Sequence, residues 1–584
     1  MAAHEELKEN SPMDAQMVEI EKADSTSLPT GSDVPREEDD QVETTTPKAW
    51  LCIAFLTLSF GGPFWATPTT AAISSQLLAK FGQSELSAWV IPCITTVATV
   101  TILLFGANSD LFGRRLFLLM SCVVGAIGYI VCALANSNSM LIAGLCLNGV
   151  ASGVSGIALI AVPELISNKY RHIGIVIADG IVYVFIIIGP IVARYALLKG
   201  GDNWRNLYWG GFAIQVLAAV GLGAFYFPPK HPRGIAWQDA LKGLDWIGGV
   251  LFTIGAVLVL VGMVYTSYLP STDTRVLVCL CVGLAVIVAF GLWEQFGNAK
   301  YPLCPTEIFA SHKGREFAVP FCLTFVVVGY FYGVAVIYPT MMNAFYVDEN
   351  TSVQDELLAT LPSSLPMVAG AMTLTMFGRM VGHWKWSMTV STISLVLWGS
   401  LLALITPYNK GMMMTFVALA QFSYGWAAYL SVTYTQLGVP QKMLGVSGGL
   451  AGTARYAGGA VASACYSTAI ANGVASRSAV LIPKAALDAG LPESSLDAVV
   501  AAASGGAKAL SAIPGVTPEV IAAVVDAVKW SSAHGLRNAA LVSIAFGVTG
   551  VLLCFGLEDI EAKMTPKIEI FLENDKLADK NEYH

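Results

Sequence analysis

The sequence predicts an all-α polytopic membrane protein with about fourteen membrane-spanning helices, and three observations predict it. The first is composition. Hydrophobic residues make up 55% of the 584 residues and charged residues 13%, and the mean hydropathy is +0.62. An ordinary soluble domain carries about 25% charged residues, so this chain has too little charge to cover a water-facing surface. The second observation is the block pattern. Trp246 to Thr266 and Val276 to Phe290 carry no charge, and runs of ~20 apolar residues suit the ~30 Å hydrocarbon core of a bilayer. The third is the asymmetry of Lys and Arg between alternate loops, set out below.

The elements follow in order. Residues 1–48 are acidic and rich in Ser, Thr and Pro. That composition buries too little apolar surface to fold, so the segment reads as a disordered cytosolic tail, with the first apolar helix retained as the membrane signal. Apolar spans then fall at about 49–72, 86–106, 116–135, 140–163, 173–197, 207–227, 244–265, 276–296, 317–342, 357–377, 387–405, 412–436, 443–471 and 536–556. Residues 472–535, rich in Ala, Gly and Ser, read as a long external loop. Thr517-Pro518-Glu519 has the order of an N-cap, a Pro at the first helical position and an acid in the first turn, and Pro492-Glu493 is a second start, so short amphipathic helices are expected there. Residues 558–584 form a second cytosolic tail, also expected to lack fixed structure.

Numbering the spans tests the topology. One side collects Lys48, Arg114, Arg115, Lys169, Arg171, Lys230, Arg233, Lys242, Lys300, Lys313, Arg315, Arg379, Lys385 and Lys442, while the short loops of the other hold Lys80, Lys199, Arg205, Arg275 and Lys410. Lys and Arg of short loops concentrate on the cytosolic side. Both termini are therefore expected in the cytosol, as an even number of spans requires. Asn350-Thr351-Ser352 is a glycosylation sequon on the opposite side, which makes Asn350 a candidate acceptor.

Several function classes are excluded or disfavoured. The net charge of −8 reflects acid in the two tails, and no basic stretch interleaved with aromatics points to nucleic acid. Cysteines such as Cys122, Cys132, Cys279 and Cys281 sit inside apolar runs without metal-ligand spacing, and read as small apolar side chains. The seven His lie in loops, tails or helix ends, so no metal site is expected. Gly-rich runs such as 445–452 lack the preceding strand and the Lys of a phosphate loop. No nucleophile–base pair stands out, and the chain is expected not to be an enzyme.

Between spans two and three stands Gly106-Ala-Asn-Ser109-Asp110-Leu-Phe-Gly113-Arg114-Arg115. It resembles the signature loop of the major facilitator superfamily: glycine, two residues, a small residue, Asp, two residues, glycine, then Arg and Arg or Lys. Gly113 suits a tight turn, and Asp110 can meet the positive N-terminal end of another helix. The resemblance implies a conformational latch built from Gly106, Asp110, Gly113, Arg114 and Arg115. In span five, Gly180 and Gly189-Pro190 resemble part of the antiporter motif of drug-exporting facilitators, although Phe185 and Ala193-Arg194 stand where that pattern prefers glycines. Span four carries Asn148, Gly149 and Gly153, but Leu145 where related exporters often have Arg, so the Arg-dependent proton role does not carry over.

Further matches narrow the branch. They are Trp204-Arg205-Asn-Leu-Tyr208, Asp245-Trp246-Ile-Gly248, Pro302-Leu303, Gly445 with Gly449, Arg455-Tyr456, Glu164, Asn168-Lys169-Tyr-Arg171 and Phe225-Tyr-Phe-Pro228-Pro229. Together they are similar to the fourteen-helix drug:proton antiporter branch, and within it to the fungal trichothecene efflux pump family, whose neighbours are the siderophore–iron transporters. The likeness runs over nearly all of 49–558. It implies a major facilitator fold: a six-helix half over 49–227, a linker and two additional helices over 228–296, and a second six-helix half over 297–557.

The implied function is proton-coupled efflux of apolar small molecules such as mycotoxins and drugs, by alternating access. A proton gradient would supply the energy, with no cofactor, and the expected partners are the substrate, protons and the lipid bilayer, with the chain a monomer. The plasma membrane is the expected location and the vacuolar membrane the alternative. A siderophore–iron importer of the same fold, or a non-transporting membrane sensor, is the competing reading.

Coupling needs a titratable group inside the membrane, where a charge costs roughly 3 kcal/mol on insertion scales and is rarely idle. Asp179 in span five is the clearest acid, a candidate proton carrier or partner for a basic residue, and Arg455 in span thirteen is a candidate counter-charge or substrate-gating residue. Trp65, Tyr183, Tyr330, Tyr332, Tyr338, Gln421, Tyr424 and Trp426 are candidates for lining an otherwise apolar cavity.

Overall fold

The computed structural model describes residues 45–581, apart from 83–84, 230–236, 267, 271, 298 and 348–350. Residues 1–44 and Asn350 lie outside the described residues. No β-strand forms among the described residues, and a single bridge joins Leu244 to Tyr301.

The first half contains α1 (Pro47–Phe64), α2 (Ala66–Phe81), α3 (Pro92–Phe112), α4 (Arg114–Ala133), α5 (Asn138–Ser155), α6 (Ala158–Glu164), α7 (Arg171–Leu198) and α8 (Arg205–Phe225). Helices α1 and α2 form one span broken at Trp65, beside Pro63. The break leaves main-chain groups without helical partners, and in a bilayer these must be satisfied inside the protein. Buried Tyr129 does so: its hydroxyl donates to the Gly62 carbonyl at 2.6 Å and accepts from Ala66 N at 3.1 Å. Helix α1 packs on α7 and α8, α4 on α5 and α8, and α3 on α5.

Short α9 (Trp237–Lys242) leads to α10 (Trp246–Tyr265) and α11 (Thr274–Phe296), the additional pair, and then to α12 (Thr306–Ala310). Asp245 starts α10 as its N-cap, accepting from Gly248 N at 2.9 Å. The pair packs mainly on itself, and α10 also lies against α3 and the first part of a helix of the second half, α17 (Leu444–Asp488).

That half also contains α13 (Ala318–Phe345), α14 (Val353–Val381), α15 (Trp384–Ser400), α16 (Lys410–Leu437), α18 (Leu496–Ala502), α19 (Gly506–Ser511) and α20 (Pro518–Gly556). Helix α13 packs on α17 and α20, α14 on α16, and α15 on α16 and α20. The two halves meet where α3 lies on α17 and where α7 lies on α14 and α16.

Among the described residues, twelve helical segments are long and apolar enough to cross a membrane. The remaining two expected spans coincide with α16 and α17, which are long enough but less apolar. Their composition has a physical reason. Residues 427–437 of α16 are all buried, and α17 packs against α3, α13 and α20. A helix shielded by protein can carry Ser, Thr, Tyr and Gly that a lipid-facing helix cannot.

Two expectations are corrected. The span expected to end near 471 continues as helix to Asp488, and the last begins at Pro518 rather than 536. The segment expected as a loop over 472–535 is therefore largely a helical hairpin that prolongs both spans, closed by α18 and α19. Thr517 does cap α20, accepting from Val520 N at 3.3 Å. The physical reason is a separate apolar cluster of Ile482, Ala486, Val499, Leu510, Val520 and Val524, which Ala-rich helices build more readily than a loop does. Second, the C-terminal tail is docked rather than loose: Ile568 and Leu572 are buried. The tail meets Thr46 and Lys48 at the start of α1, so both ends of the described chain share one face, called the terminal face below.

Leu510 is fully buried in the hairpin cluster, and Leu510→Ala is expected to cost about 2–4 kcal/mol there. Amide exchange should quicken over residues 490–515 and stay unchanged in α13 and α15. A uniform change along the whole chain would refute a self-contained hairpin.

Candidate coupling and substrate site

The signature loop turns at Gly113, whose φ of 81° suits glycine. One turn earlier, buried Asp110 reaches across to the second half. Its Oδ1 accepts from Gly445 N at 2.9 Å and its Oδ2 from Val446 N at 3.1 Å. These are free donors in the first turn of α17, so Asp110 caps that helix in trans and meets its positive end. The approach depends on absent side chains. A Cβ at Gly106 would lie 2.8 Å from Gly449 Cα, and one at Gly445 would lie 2.5 Å from the Gly106 carbonyl.

Arg114 extends the latch. Its Nη2 is 3.5 Å from Asp110 Oδ1, and its Nη1 is 2.5 Å from Glu164 Oε2; the latter is a charge contact without hydrogen-bond alignment. Glu164 in turn accepts from Gln441 Nε2 of the second half at 2.6 Å. Arg115 serves the first half alone, donating to the Gly223 carbonyl at 2.9 Å and stacking 3.8 Å from the Phe227 ring. Glu164 joins the latch as a residue that sequence reasoning placed only in a family pattern.

Deeper between the halves lies a cavity of about 140 Å³. Helix α7 contributes Asp179 and Tyr183, four residues apart and so on one face. Helix α16 contributes Tyr424 and Tyr429, and α17 contributes Arg455 and Tyr456. The Tyr429 hydroxyl donates to Asp179 Oδ2 at 2.6 Å, and Arg455 Nη2 lies 3.6 Å from the same oxygen. Tyr183 bonds the Tyr429 hydroxyl. Asp179, buried on the first half, thus has its two partners on the second. Phe60, Phe64, Ile102, Val328, Phe331 and Met367 make most of the remaining wall apolar, and Phe331 stacks on Tyr424 with centroids 4.1 Å apart.

Of the eight cavity candidates, Tyr183, Tyr332 and Tyr424 line this space. The others are committed elsewhere. Trp65 donates to the Leu207 carbonyl at 2.9 Å, Tyr330 to Val396 at 2.9 Å, Tyr338 to Ala359 at 2.6 Å and Trp426 to Ser387 Oγ at 2.8 Å. Gln421 is buried but does not line this space. The four bonded side chains are each spent on contacts within one half, which position in a span does not disclose. Tyr429, Phe60 and Phe64, which also line it, were not singled out, and Tyr456 entered only as part of a family pattern. Tyr456 follows Arg455 directly, and Phe60 and Phe64 share a helix face, but nothing local marks Tyr429.

The antiporter-like residues divide. Gly189 packs on α2, where a Cβ would be 3.2 Å from Pro68 Cγ, whereas a Cβ at Gly180 would meet nothing within 4 Å. Close packing is therefore not the role of Gly180 in this arrangement. Pro190 lies inside α7, which stays helical through it. One His-containing cluster also forms: His312, Glu316 and Glu558 bring ligand atoms within 4.8 Å of one another, although Lys563 and Arg315 already pair with its carboxylates.

Residues 34–584 match the profile described as fungal trichothecene efflux pump (TRI12). The MFS-type transporter prx5 of Penicillium rubens is 40% identical over 529 residues, covering 90% of this chain and 94% of that one. The trichothecene efflux pump TRI12 of Fusarium sporotrichioides is 23% identical over 543 residues, covering 92% and 90%. Among solved structures, the human organic anion transporter MFSD10 superposes with a TM-score of 0.50 at 13% identity, over 87% of this chain and 100% of that one. A bacterial homolog of the human lysosomal transporter Spinster does so with a TM-score of 0.51 at 13% identity, over 88% and 98%. The structural likenesses show the fold.

The glycine contacts make an ordered prediction. Gly445→Ala forces the α3 and α17 backbones apart and should lower the thermal midpoint in detergent by several degrees. Gly180→Ala has room for its methyl and gains about 0.5–1 kcal/mol of helix preference, so its midpoint should hold or rise. Equal losses for the two would contradict this packing.

Proposed function

We propose that this chain, which belongs to the fungal trichothecene efflux pump family, exports apolar small molecules of the mycotoxin and drug type in exchange for protons. It is a secondary transporter of the major facilitator fold, not an enzyme. The observation that carries the coupling proposal is the Asp179 cluster. A carboxylate inside a membrane span persists only when paired or protonated, and here both partners, Arg455 and Tyr429, come from the opposite half.

The steps follow from that placement. With Asp179 ionised, its attraction to Arg455 and the Tyr429 hydrogen bond hold the halves together at mid-depth. A proton arriving from the outer side cancels the charge and loosens this tie, so the terminal face can open. Loss of the proton at that face restores the pair and closes it. Substrate takes the return journey, as alternating access about a midplane site requires. The cavity of about 140 Å³ is smaller than the ~300–1,000 Å³ of typical ligand sites, so substrate binding goes with widening between α7 and α16. Its aromatic and aliphatic wall favours apolar molecules.

Relatives named as trichothecene efflux pump and as efflux pump FUS6 support the outward direction. The Lys and Arg of the short loops support a cytosolic terminal face. Both halves lie in one chain, which supports a working monomer, and the plasma membrane is the proposed site.

Sealed vesicles with an imposed pH gradient test the proposal, using a labelled trichothecene, common antifungals and a ferric siderophore. Toxin or drug is expected to move against the proton flow. Asp179→Asn should abolish gradient-driven movement, and Tyr429→Phe, which loses a hydrogen bond to a charged group worth about 1.5–3 kcal/mol, should weaken it about tenfold or more. Undiminished coupled transport in Asp179→Asn would remove Asp179 from the mechanism. Siderophore moving along with protons would replace export by import.

A further inference from the structure

We infer that residues 563–581 form a clasp across the terminal face, riding permanently on the first half and releasing the second half each time that face opens. The inference rests on the alternating-access reading above.

The tail leaves α20 in the second half and docks on the first. Main-chain bonds run from Lys169 N to Thr565 O at 2.8 Å, from Asn168 N to Lys567 O at 3.0 Å, from Ile570 N to Glu164 O at 3.3 Å and from Glu573 N to Phe227 O at 2.7 Å. Asn168 Nδ2 donates to Glu569 Oε1 at 2.6 Å. Farther along, Thr46 bonds Asp575, and Lys48 bonds the Asn574 carbonyl. Ile568, Phe571 and Leu572 are buried beneath this run. Asn581 fixes its end, exchanging two 2.9 Å hydrogen bonds with the Phe571 main chain.

The grip on the second half is of another kind. Lys563 Nζ pairs with Glu316 Oε1 at 2.6 Å, and His312 Nδ1 lies 3.1 Å from Glu558 Oε2. Burial pushes the Glu316 carboxyl up, but the Lys563 ammonium and the Ser311 hydroxyl outweigh it and hold the group below its ordinary value. Glu316 is thus ionised at neutral pH. Lys563 is 38% exposed and Glu316 12%, and a single ion pair that water reaches from one side is a modest tie. The turn leading to Glu316 also passes through left-handed His312 and Lys313, at φ 44° and 59°, an unfavourable conformation for non-glycine residues.

Spacing turns these contacts into a clasp. Lys563 holds the second half and Thr565 holds the first, and two residues span at most about 7 Å. Between the halves lies a cavity of about 500 Å³, lined by Arg171, Gln436, Val439, Glu316, Lys563 and Glu569 among others. If the halves part there, one anchor must break. Three buried apolar side chains and four main-chain bonds outlast a single part-exposed ion pair, so Lys563 leaves Glu316 while the tail from Thr565 onward stays on the first half.

Two cysteine pairs in the full chain test this, each joined by a short reducible bis-thiosulfonate, with wild type given the same reagent. Joining Glu316→Cys to Lys563→Cys should cut transport at least tenfold, reversed by reductant. Joining Asn168→Cys to Thr565→Cys should leave transport within about twofold. Undiminished transport in the first pair, or arrest in the second, overturns the clasp. A readout without substrate separates failure of the clasp from failure of the transport reading. Labelling of Val439→Cys by a bulky water-soluble maleimide should rise severalfold with Lys563→Glu and return to baseline when Glu316→Lys is added. Labelling indifferent to both changes also overturns the clasp, whatever compounds the protein moves.

Discussion

The contact between α3 and α17 is the constraint on which the rest of the structure depends. Two helices of opposite halves touch backbone to backbone at Gly106, Gly445 and Gly449, and Asp110 caps α17 across the gap. Apolar side chains would bring no such specificity in a bilayer, because lipid is as apolar as Leu. Close approach and a buried carboxylate on free N–H groups supply it instead. Hydrogen bonds to a charged group contribute about 1.5–3 kcal/mol each. Two of them are enough to favour a closed face and few enough for a carrier to release.

That contact sets demands on its neighbours. Helix α17 must present glycine to α3 at Gly445 and Gly449 and, a few turns deeper, Arg455 to Asp179. The same helix thus carries the latch at the terminal face and the counter-charge at mid-depth. In the proposed cycle a helix moving as one body would carry both, so that a change at Asp179 is felt at Asp110 without any intermediary device. Helix α7 does the same for the first half: it begins beside Asn168, where the tail docks, and carries Asp179 two turns on. The two helices explain why the polar residues of this chain gather at one seam while the lipid-facing surfaces stay apolar.

Part of this was legible in the sequence. The span pattern, the loop from Gly106 to Arg115 and the candidacy of Asp179 and Arg455 follow from residue type, since charges and glycines inside spans have few structural uses; that these two side chains lie within 3.6 Å of each other only the structure shows. The aromatic residues were less legible. Tyr330 and Tyr332 are two positions apart, yet one bonds Val396 inside its half and the other faces the cavity, because helical rotation alone decides between them. Tyr429 gave no local sign; it matters only because α16 crosses α7 at its height. The hairpin over 472–535 was misjudged because Ala, Gly and Ser suggested a loop, whereas Ala is the strongest helix former and the sparse Val, Leu and Ile sit where one small cluster gathers them.

Under the proposed exchange with protons, the arrangement of ties along the seam bears on how coupling would stay tight. The inter-half contacts described here run from mid-depth to the terminal face: Asp179 with Arg455 and Tyr429, Glu164 with Gln441, Asp110 with α17, and outermost the tail. Each is modest, and a two-state carrier needs a difference of only a few kcal/mol between its states. If one tie were dominant, releasing it would open the face regardless of the others, and substrate could leak without a proton. Spread over several ties on two rigid helices, closure becomes a sum in which the loss of one charge at Asp179 can tip the balance, while no single surface contact can. In the proposed cycle, the graded polarity of the seam, buried at Asp179 and half-exposed at Lys563, would give that sum its order: the buried tie decides, and the exposed one follows.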